Sequence, residues 1–259
     1  MALNLDKIKE RLSAFQNSAN STSKILWKPS GKSQIRLLPY KHNKDNPFVE
    51  LYFHFTVSNG KSILSPISYG EADPIVEFAA KLRKSGSKED FILSRKLEPK
   101  MRIFAPVVVR GLENEGTKFW GFGKTVYQEI LSFISDPDYG DITDPINGRD
   151  ISIESLTPLE AGNQFGKTTI RVKPNKTAVV DNKDVLKSLL EDQVNVSEIY
   201  IRKTYDELKA ILLEYLEPGS EPKEGAKTSV TAKQVDPFAS APSKKVSDVS
   251  AAFDDLFNN

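Results

Sequence analysis

Residues 161–169 read AGNQFGKTT, and Ala161 followed after four residues by Gly166-Lys167-Thr168 fits a relaxed phosphate-loop pattern, with Ala standing for the first glycine. Such a loop works because it joins a buried strand to a helix, so that its amides and the helix N-terminus both point at the phosphates. The stretch before it, DISIESLTPLE, reads as a strand that Pro158 interrupts. The stretch after it, TTIRVKP, is β-branched, alternates and ends at Pro174, which is the pattern of a strand and not of a helix. No apolar strand ending in Asp stands out downstream to hold magnesium. The segment is expected to be a hairpin connection with Gly162 and Gly166 as turn residues, and no nucleotide site.

Other enzyme chemistry is equally sparse. The absence of cysteine from 259 residues excludes disulfides, thiolate zinc sites and cysteine nucleophiles. Two histidines, His42 and His54, leave little for a protein-held transition metal or a His-based triad. Carboxylates gather in DPDYGDITDP, where Asp136, Asp138 and Asp141 have roughly alternating spacing. That run lacks the Gly and the closing Glu of an EF-hand loop, so caps and turns are the expected use of its aspartates.

The cations are more informative. From Lys24 to Lys124 there are 18 Lys and Arg against 10 Asp and Glu, a net of +8; from Thr125 to Glu217 the counts are 10 and 17, a net of −7. A basic part beside an acidic part points to a polyanion-binding surface with a counterweight, or to a chance imbalance that solvent absorbs. The basic part interleaves cations with aromatics. WKPSGKSQIRLLPY holds Trp27, Lys28, Lys32, Arg36 and Tyr40; SRKLEPKMRIF holds Arg95, Lys96, Lys100, Arg102 and Phe104; GTKFWGFGK holds Lys118, Phe119, Trp120, Phe122 and Lys124. Cations along phosphates with flat faces for unpaired bases are what a single nucleic-acid strand requires. Leu37, Ile103 and Phe122 are expected in the core, whereas Trp120, beside two glycines, is expected to show a face to solvent.

The elements that must position these residues are mostly strands. ILWKP, QIRLLPY, FVELYFHFTV, FILSRK, MRIFAPVVVRG, GTKFWGFGK, DISIESL and TTIRVKP read as strands, with Ser58-Asn59-Gly60-Lys61 as a hairpin turn. Helices are expected over 1–16, where Leu3, Leu5, Ile8, Leu12 and Phe15 share a face; over DPIVEFAAKLRKSG, capped by Asp73 and ended by Gly86; over TVYQEILSFIS; and from about Asp184 to Glu217. Beyond Pro218 the Ser/Ala/Lys/Pro-rich chain is expected to be disordered until VSAAFDDLFNN. No apolar run approaches 18 residues, and the N-terminus lacks the apolar core of a secretory signal, so a cytoplasmic protein is expected. The fold class is mainly β with added helices, α+β, as a small and partly open barrel with insertions.

The order IRLLP (35–39), NPF (46–48), a strand bearing His54, ENEG (113–116) and FGK (122–124) before a helix resembles the single-stranded DNA-binding proteins of T-even-type phages. The resemblance runs from about Trp27 to Ile134 and is patchy afterwards; the ending FDDLF is similar to the acidic tip of that family. It implies an OB-fold-like barrel over 24–217, an inserted ribbon subdomain at about 52–90 with a basic cleft between them, an N-terminal arm over 1–23 and a tail over 218–259. It implies sequence-independent coating of single-stranded DNA in phage replication, recombination and repair, in the cytoplasm of the infected bacterial host, without catalysis. The residues it marks for DNA are Trp27, Lys28, Arg36, Arg95, Lys96, Lys100, Arg102, Phe104, Lys118, Phe119, Trp120 and Lys124, with Arg171 and Lys173 extending the track. Phe253, Asp254, Asp255, Leu256 and Phe257 would recruit phage replication and recombination proteins, and the tail would occupy the cleft when DNA is absent.

Two departures stand out. Members of the family often hold a zinc ion with one His and three Cys; here His54 matches the His, but the other positions fall near Pro66, at Asp73 and at Val76. No zinc or other cofactor is therefore expected, and packing through Ile75, Phe78 and Leu82 is expected to hold the ribbon. The arm carries only Lys7, Lys9 and Arg11 in place of a compact basic run, which leaves self-association along DNA open. Two rival readings from other classes are a protein-binding scaffold without DNA affinity and a metal-dependent nuclease using the Asp136–Asp144 loop.

Overall fold

The computed structural model of the chain describes residues 25–58, 60–162, 164–216, 252–253 and 256–257. The expected helix over 1–16, with Lys7, Lys9 and Arg11, lies outside the described residues. The strands are β1 (Leu26–Trp27), β2 (Gly31–Leu37), β3 (Val49–His54), β4 (Ile63–Leu64), β5 (Lys100–Val109), β6 (Lys118–Phe122), β7 (Arg149–Leu156) and β8 (Lys167–Lys176). The helices are α1 (Pro74–Lys84), α2 (Lys88–Leu97), α3 (Lys124–Ser135), α4 (Pro158–Ala161), α5 (Lys183–Glu191) and α6 (Tyr205–Leu216). The class is mixed α+β. Two compact units divide the chain, Met1–Leu51 with Met101–Ile201, and Tyr52–Lys100 with Arg202–Asn259. The second therefore takes in α6 and the chain's end as well as the insertion, which extends past the expected 90.

In the first unit the strand path is β1-β6-β5-β2-β7-β8, antiparallel throughout except for the parallel β1–β6 pair. Strand periodicity of two decides its faces. Ile35 and Leu37 of β2, Ile151 and Ile153 of β7, Ile170 of β8 and Val107 of β5 turn to one side and join a buried cluster with Trp120 and Phe122. Helix α3 closes that side with Val126, Tyr127 and Ile130. On the opposite side Leu38 and Val108 are covered by Val179 and by Leu189 of α5.

The helix expected from Asp184 to Glu217 is broken into α5, a 3-10 turn at Val196–Glu198 and α6. Hydrogen bonds to a distant loop, residues 39–41, account for the break. Gln193 accepts from Lys41 N (2.9 Å) and donates to Pro39 O (3.0 Å), and the Tyr40 hydroxyl accepts from Val196 N (3.1 Å). These bonds hold 193–196 in a shape that a continuous helix would not allow.

In the second unit β3 pairs antiparallel with β4, and the turn between them carries Gly60 at φ +84° with Lys61 N bonded to Ser58 O at 2.8 Å. Helix α1 begins as its sequence signals suggest. Asp73 Oδ1 accepts from the amides of Ile75 and Val76, and Pro74 takes the first turn, where it needs no donor. Ile75, Phe78 and Leu82 are buried with Leu97, Leu208 and Leu212. FILSRK, expected as a strand, lies in α2. Ser87 caps that helix by accepting from Asp90 N, Glu89 and Asp90 lie in its first turn, and Arg95 and Lys96 in its last, all matched to the helix dipole. Those local terms outweigh the short apolar run.

Candidate nucleic-acid interface

Strand β8 turns Ile170 and Val172 toward the core, which leaves Lys167, Thr169, Arg171 and Lys173 on the other face. Lys167, Arg171 and Lys173 are all exposed. At about 3.3 Å per residue the row from Lys167 to Lys173 is about 20 Å long. The face continues across the sheet, with Arg171 opposite Ser152 and Ser152 opposite Gln34, and with Thr169 opposite Glu154 and Glu154 opposite Lys32. Lys32 Nζ lies 3.8 Å from Glu154 Oε1 with both groups well exposed, so that pair adds little stability and leaves the lysine open to other anions.

The hairpin that begins β8 is the segment with the phosphate-loop spelling. Thr157 and Glu160 form a reciprocal capping box on α4, and Gly162 at φ +64° ends it. At Gly166 a side chain would meet Leu156 O at 2.5 Å, so glycine is required there by close backbone approach. The next element is β8, a strand, which removes the helix N-terminus that a phosphate loop needs. Phe165 is 74% exposed at the tip of this hairpin. It was hidden as an unspecified position of the motif. The signal that would have found it is an aromatic inside the polar turn GNQFGK next to a lysine.

Several residues expected at the interface are in the interior instead. Arg36 is fully buried, and its Nε donates to Asp150 Oδ1 (3.0 Å), its Nη1 to Asp144 O (3.2 Å) and its Nη2 to Thr177 Oγ1 (2.6 Å). Arg110 donates to the same carboxylate at 3.0 and 2.8 Å, and Gln34 Nε2 at 2.7 Å. Burial pushes the Asp150 carboxyl up, but the hydrogen bonds from Arg110 and Gln34 and the two guanidinium charges hold it below its ordinary value. Arg36 therefore ties β2 to β7, and its complete burial closes it to a ligand.

Trp120 is 1% exposed and Phe119 is fully buried. Trp120 is an inward residue of β6, with Phe122 4.5 Å away and Trp27 edge-on at 6.3 Å. Its glycine neighbour serves the other face: a side chain at Gly121 would lie 2.9 Å from Phe104 Cε1, so the Phe104 ring occupies that space. Phe104 is 5% exposed and stands 5.7 Å from Tyr200, whose hydroxyl burial pushes up to about 12 against the charge of Arg102.

The other positions stay near the surface. In the first unit Lys28, Arg102 and Lys124 are exposed, and Trp27 is half-buried. Lys118 is mostly covered and lies 3.2 Å from Glu115 Oε2. Arg95, Lys96 and Lys100 are exposed on the second unit. The aspartates of the 136–144 loop are engaged in turns: Asp136 Oδ1 accepts from Asp138 N, Asp141 Oδ1 from Thr143 N, and Asp144 Oδ1 from Ile146 N and Asn147 N. Among the described residues no three His, Asp or Glu converge as metal ligands.

The zinc positions do not fit a metal. His54 Nε2 lies 2.9 Å from Asp73 Oδ2 and its Nδ1 2.9 Å from Leu97 O, while Pro66 and Val76 offer no side-chain donor. Ser65 Oγ also donates to Asp73. Burial raises the Asp73 carboxyl, and the bonds from His54 and Ser65 bring it below its ordinary value. Of the tail residues, Phe253 is buried in the second unit, Leu256 and Phe257 are partly buried there, and Asp254 and Asp255 lie outside the described residues.

A cationic row with an exposed aromatic has the chemistry of a nucleic-acid surface. The family described as gp32 DNA binding protein like matches residues 29–216. The chain belongs to that family. Its relatives include the single-stranded DNA-binding protein of Enterobacteria phage T2, 24% identical over 249 residues, covering 88% of this chain and 81% of that protein. The single-stranded DNA-binding protein of Enterobacteria phage T4 is 26% identical over 196 residues, covering 69% of this chain and 64% of that protein. The family match ends with α6, so Phe253, Leu256 and Phe257 lie beyond it. Among the described residues no helix is long and apolar enough to cross a membrane.

Proposed function

We infer that this chain binds single-stranded DNA without sequence preference and coats it during phage DNA replication, recombination and repair in the host cytoplasm. The observation that carries the reading is the β8 row of Lys167, Arg171 and Lys173 beside Phe165, in a chain whose T2 and T4 relatives are single-stranded DNA-binding proteins. Each cation takes a backbone phosphate and releases counterions, and Phe165 stacks on an unpaired base. Contacts of that kind read no base edge, so one surface serves any sequence. Lys32, with Lys28, Arg102 and Lys124, supplies further positive potential on the first unit.

In this reading the first unit is an OB-type sheet left open between β1 and β8; its antiparallel strands and the packing of α3 support that assignment. The chain works without catalysis and without zinc, its second unit held by apolar packing and the His54–Asp73 contact. Phe253, Leu256 and Phe257 are anchors for replication and recombination partners, with Asp254 and Asp255 selecting a basic surface.

The test is fluorescence anisotropy of labelled oligo-dT, because Trp120 is buried and Trp27 only half-buried, which makes intrinsic fluorescence a poor reporter. Binding that weakens steeply with salt, resists duplex competitor and leaves the strand intact in magnesium is the expected result. Salt-insensitive or absent binding overturns the reading in favour of a protein scaffold, and strand cleavage overturns it in favour of a nuclease.

A further inference from the structure

The three described large side chains of the tail converge on one groove of the second unit. Phe253 is 2% exposed, with its ring 6.0 Å from Phe78 and 4.7 Å from Phe257. Phe257 stands edge-on to Tyr205 at 6.3 Å. Beneath them lie Leu82 of α1 and Leu208 and Leu212 of α6, at 2% exposure or less. Positions 253, 256 and 257 have the i, i+3, i+4 spacing that puts all three on one face of a helical turn.

The groove also carries a polar register mark. Lys209 Nζ donates to Phe257 O at 3.0 Å and lies 5.0 Å from the Phe257 ring and 5.9 Å from the Phe253 ring. A lysine that meets a carbonyl of the segment and both aromatic rings fixes the direction and the depth of what lies in the groove. Beside Ala252 a cavity is lined by Lys81 and Lys84 of α1 and by Asp90 of α2, two cations to one anion. Residues 217–251 separate α6 from this segment, so the groove is filled by a chain end that returns to it and not by a continuation of α6.

We propose that the groove between α1 and α6 is a receptor for a helical Phe-x-x-Leu-Phe segment, and that the chain's own Phe253, Leu256 and Phe257 fill it in cis. The proposal rests on the reading of the tail as the partner-recruiting segment. The anchors a partner would use are then withheld in the free protein, and recruitment is a competition: a partner draws out Phe253 and Phe257 and leaves the groove open.

A fluorescein-labelled peptide of residues 249–259 tests this with full-length protein. Titrated by anisotropy, it binds the Phe253→Ala/Phe257→Ala chain at least about tenfold more tightly than the wild type, because a tethered copy competes at an effective concentration of order millimolar. Adding Lys209→Glu to that variant abolishes the gain. Equal binding to wild type and double variant, or binding to neither, overturns the proposal, and retention of full binding with Lys209→Glu does the same. Circular dichroism checks the fold, and if the double variant unfolds, Phe257→Ala alone takes its place, since that ring is only partly buried. Oligo-dT binding by the same samples is scored separately: its loss with peptide competition intact counts against the DNA reading, and not against the groove.

Discussion

Replacing Lys167, Arg171 and Lys173 together by Ala should change how DNA affinity depends on salt, and by a calculable amount. All three side chains are exposed on β8, opposite in facing to the buried Ile170, so their removal leaves the core of the sheet intact. Each phosphate contact on a single strand contributes about 0.7 to the slope of log K against log salt, so three lost contacts flatten the slope by about 2.1. Between 50 and 200 mM salt that difference amounts to about a 20-fold narrowing of the gap between wild type and variant. The assay is anisotropy of labelled oligo-dT over a salt series, with Lys187→Ala as a control, because Lys187 is exposed on α5, 3.9 Å from Glu191. The control should leave the slope unchanged. A triple variant whose slope shifts by less than about 0.5, well under one phosphate contact, would refute the β8 track and move the DNA to other cations.

Three further outcomes rest on particular contacts. Phe165→Ala should weaken oligo-dT binding by about 1–3 kcal/mol, the worth of one stacked base, without altering the salt slope; unchanged affinity would remove Phe165 from the interface. Asp150→Ala strands the buried Arg36 and the partly buried Arg110 and should cost about 3–5 kcal/mol in urea unfolding, and a loss under about 1 kcal/mol would contradict the network's structural role. Because the folded Asp150 carboxyl lies below its ordinary value, its stabilisation is fully present above the unfolded pKa of about 3.9 and is lost as pH falls through the folded one. The variant should therefore lose less stability than wild type on acidification below about pH 4. Gly121→Val places a side chain 2.9 Å from Phe104 Cε1, and should cost about 1–3 kcal/mol by displacing that ring from Tyr200, read as a lower thermal midpoint.

The parts of the fold that the sequence made legible are those where one local rule acts alone. Alternation in TTIRVKP identifies β8 and rejects the phosphate loop, because no other signal competes within those residues. Asp73-Pro74 marks the start of α1 for the same reason. FILSRK misleads because its apolar run is short and its helix cap, Ser87, lies upstream in SGSKED, outside the window that the apolar residues define. Arg36 misleads differently. A cation on a strand reads as a surface group until its counter-charge is known, and Asp150 is 114 residues away in sequence. Trp120 obeys the same logic, since its neighbour Gly121 is explained by the space that Phe104 takes on the opposite face. Residues that meet water are set by local pattern, whereas those that meet each other depend on register across the sheet.

The His54 cluster is another case of distant pairing, at positions where the resemblance would place a zinc site. A zinc clasp joins separate chain segments through four strong ligand bonds, and loss of three ligands would leave a lone histidine in an apolar interior. Here His54 of β3 reaches Asp73 at the start of α1 and Leu97 O at the end of α2, and Ser65 completes the carboxylate. The segments at His54, Ser65 and Asp73, together with the end of α2, are thereby joined by hydrogen bonds at a site where both His54 and Asp73 are almost fully buried. Asp73 acts twice, since its other oxygen caps α1 through Ile75 and Val76. The clasp is consequently built into the helix start, and Phe78 and Leu82 on that helix complete the apolar cluster beneath Phe253. A change at Asp73 would thus be felt at the tail groove as well as at the hairpin, a coupling that a metal held by four independent ligands would not impose.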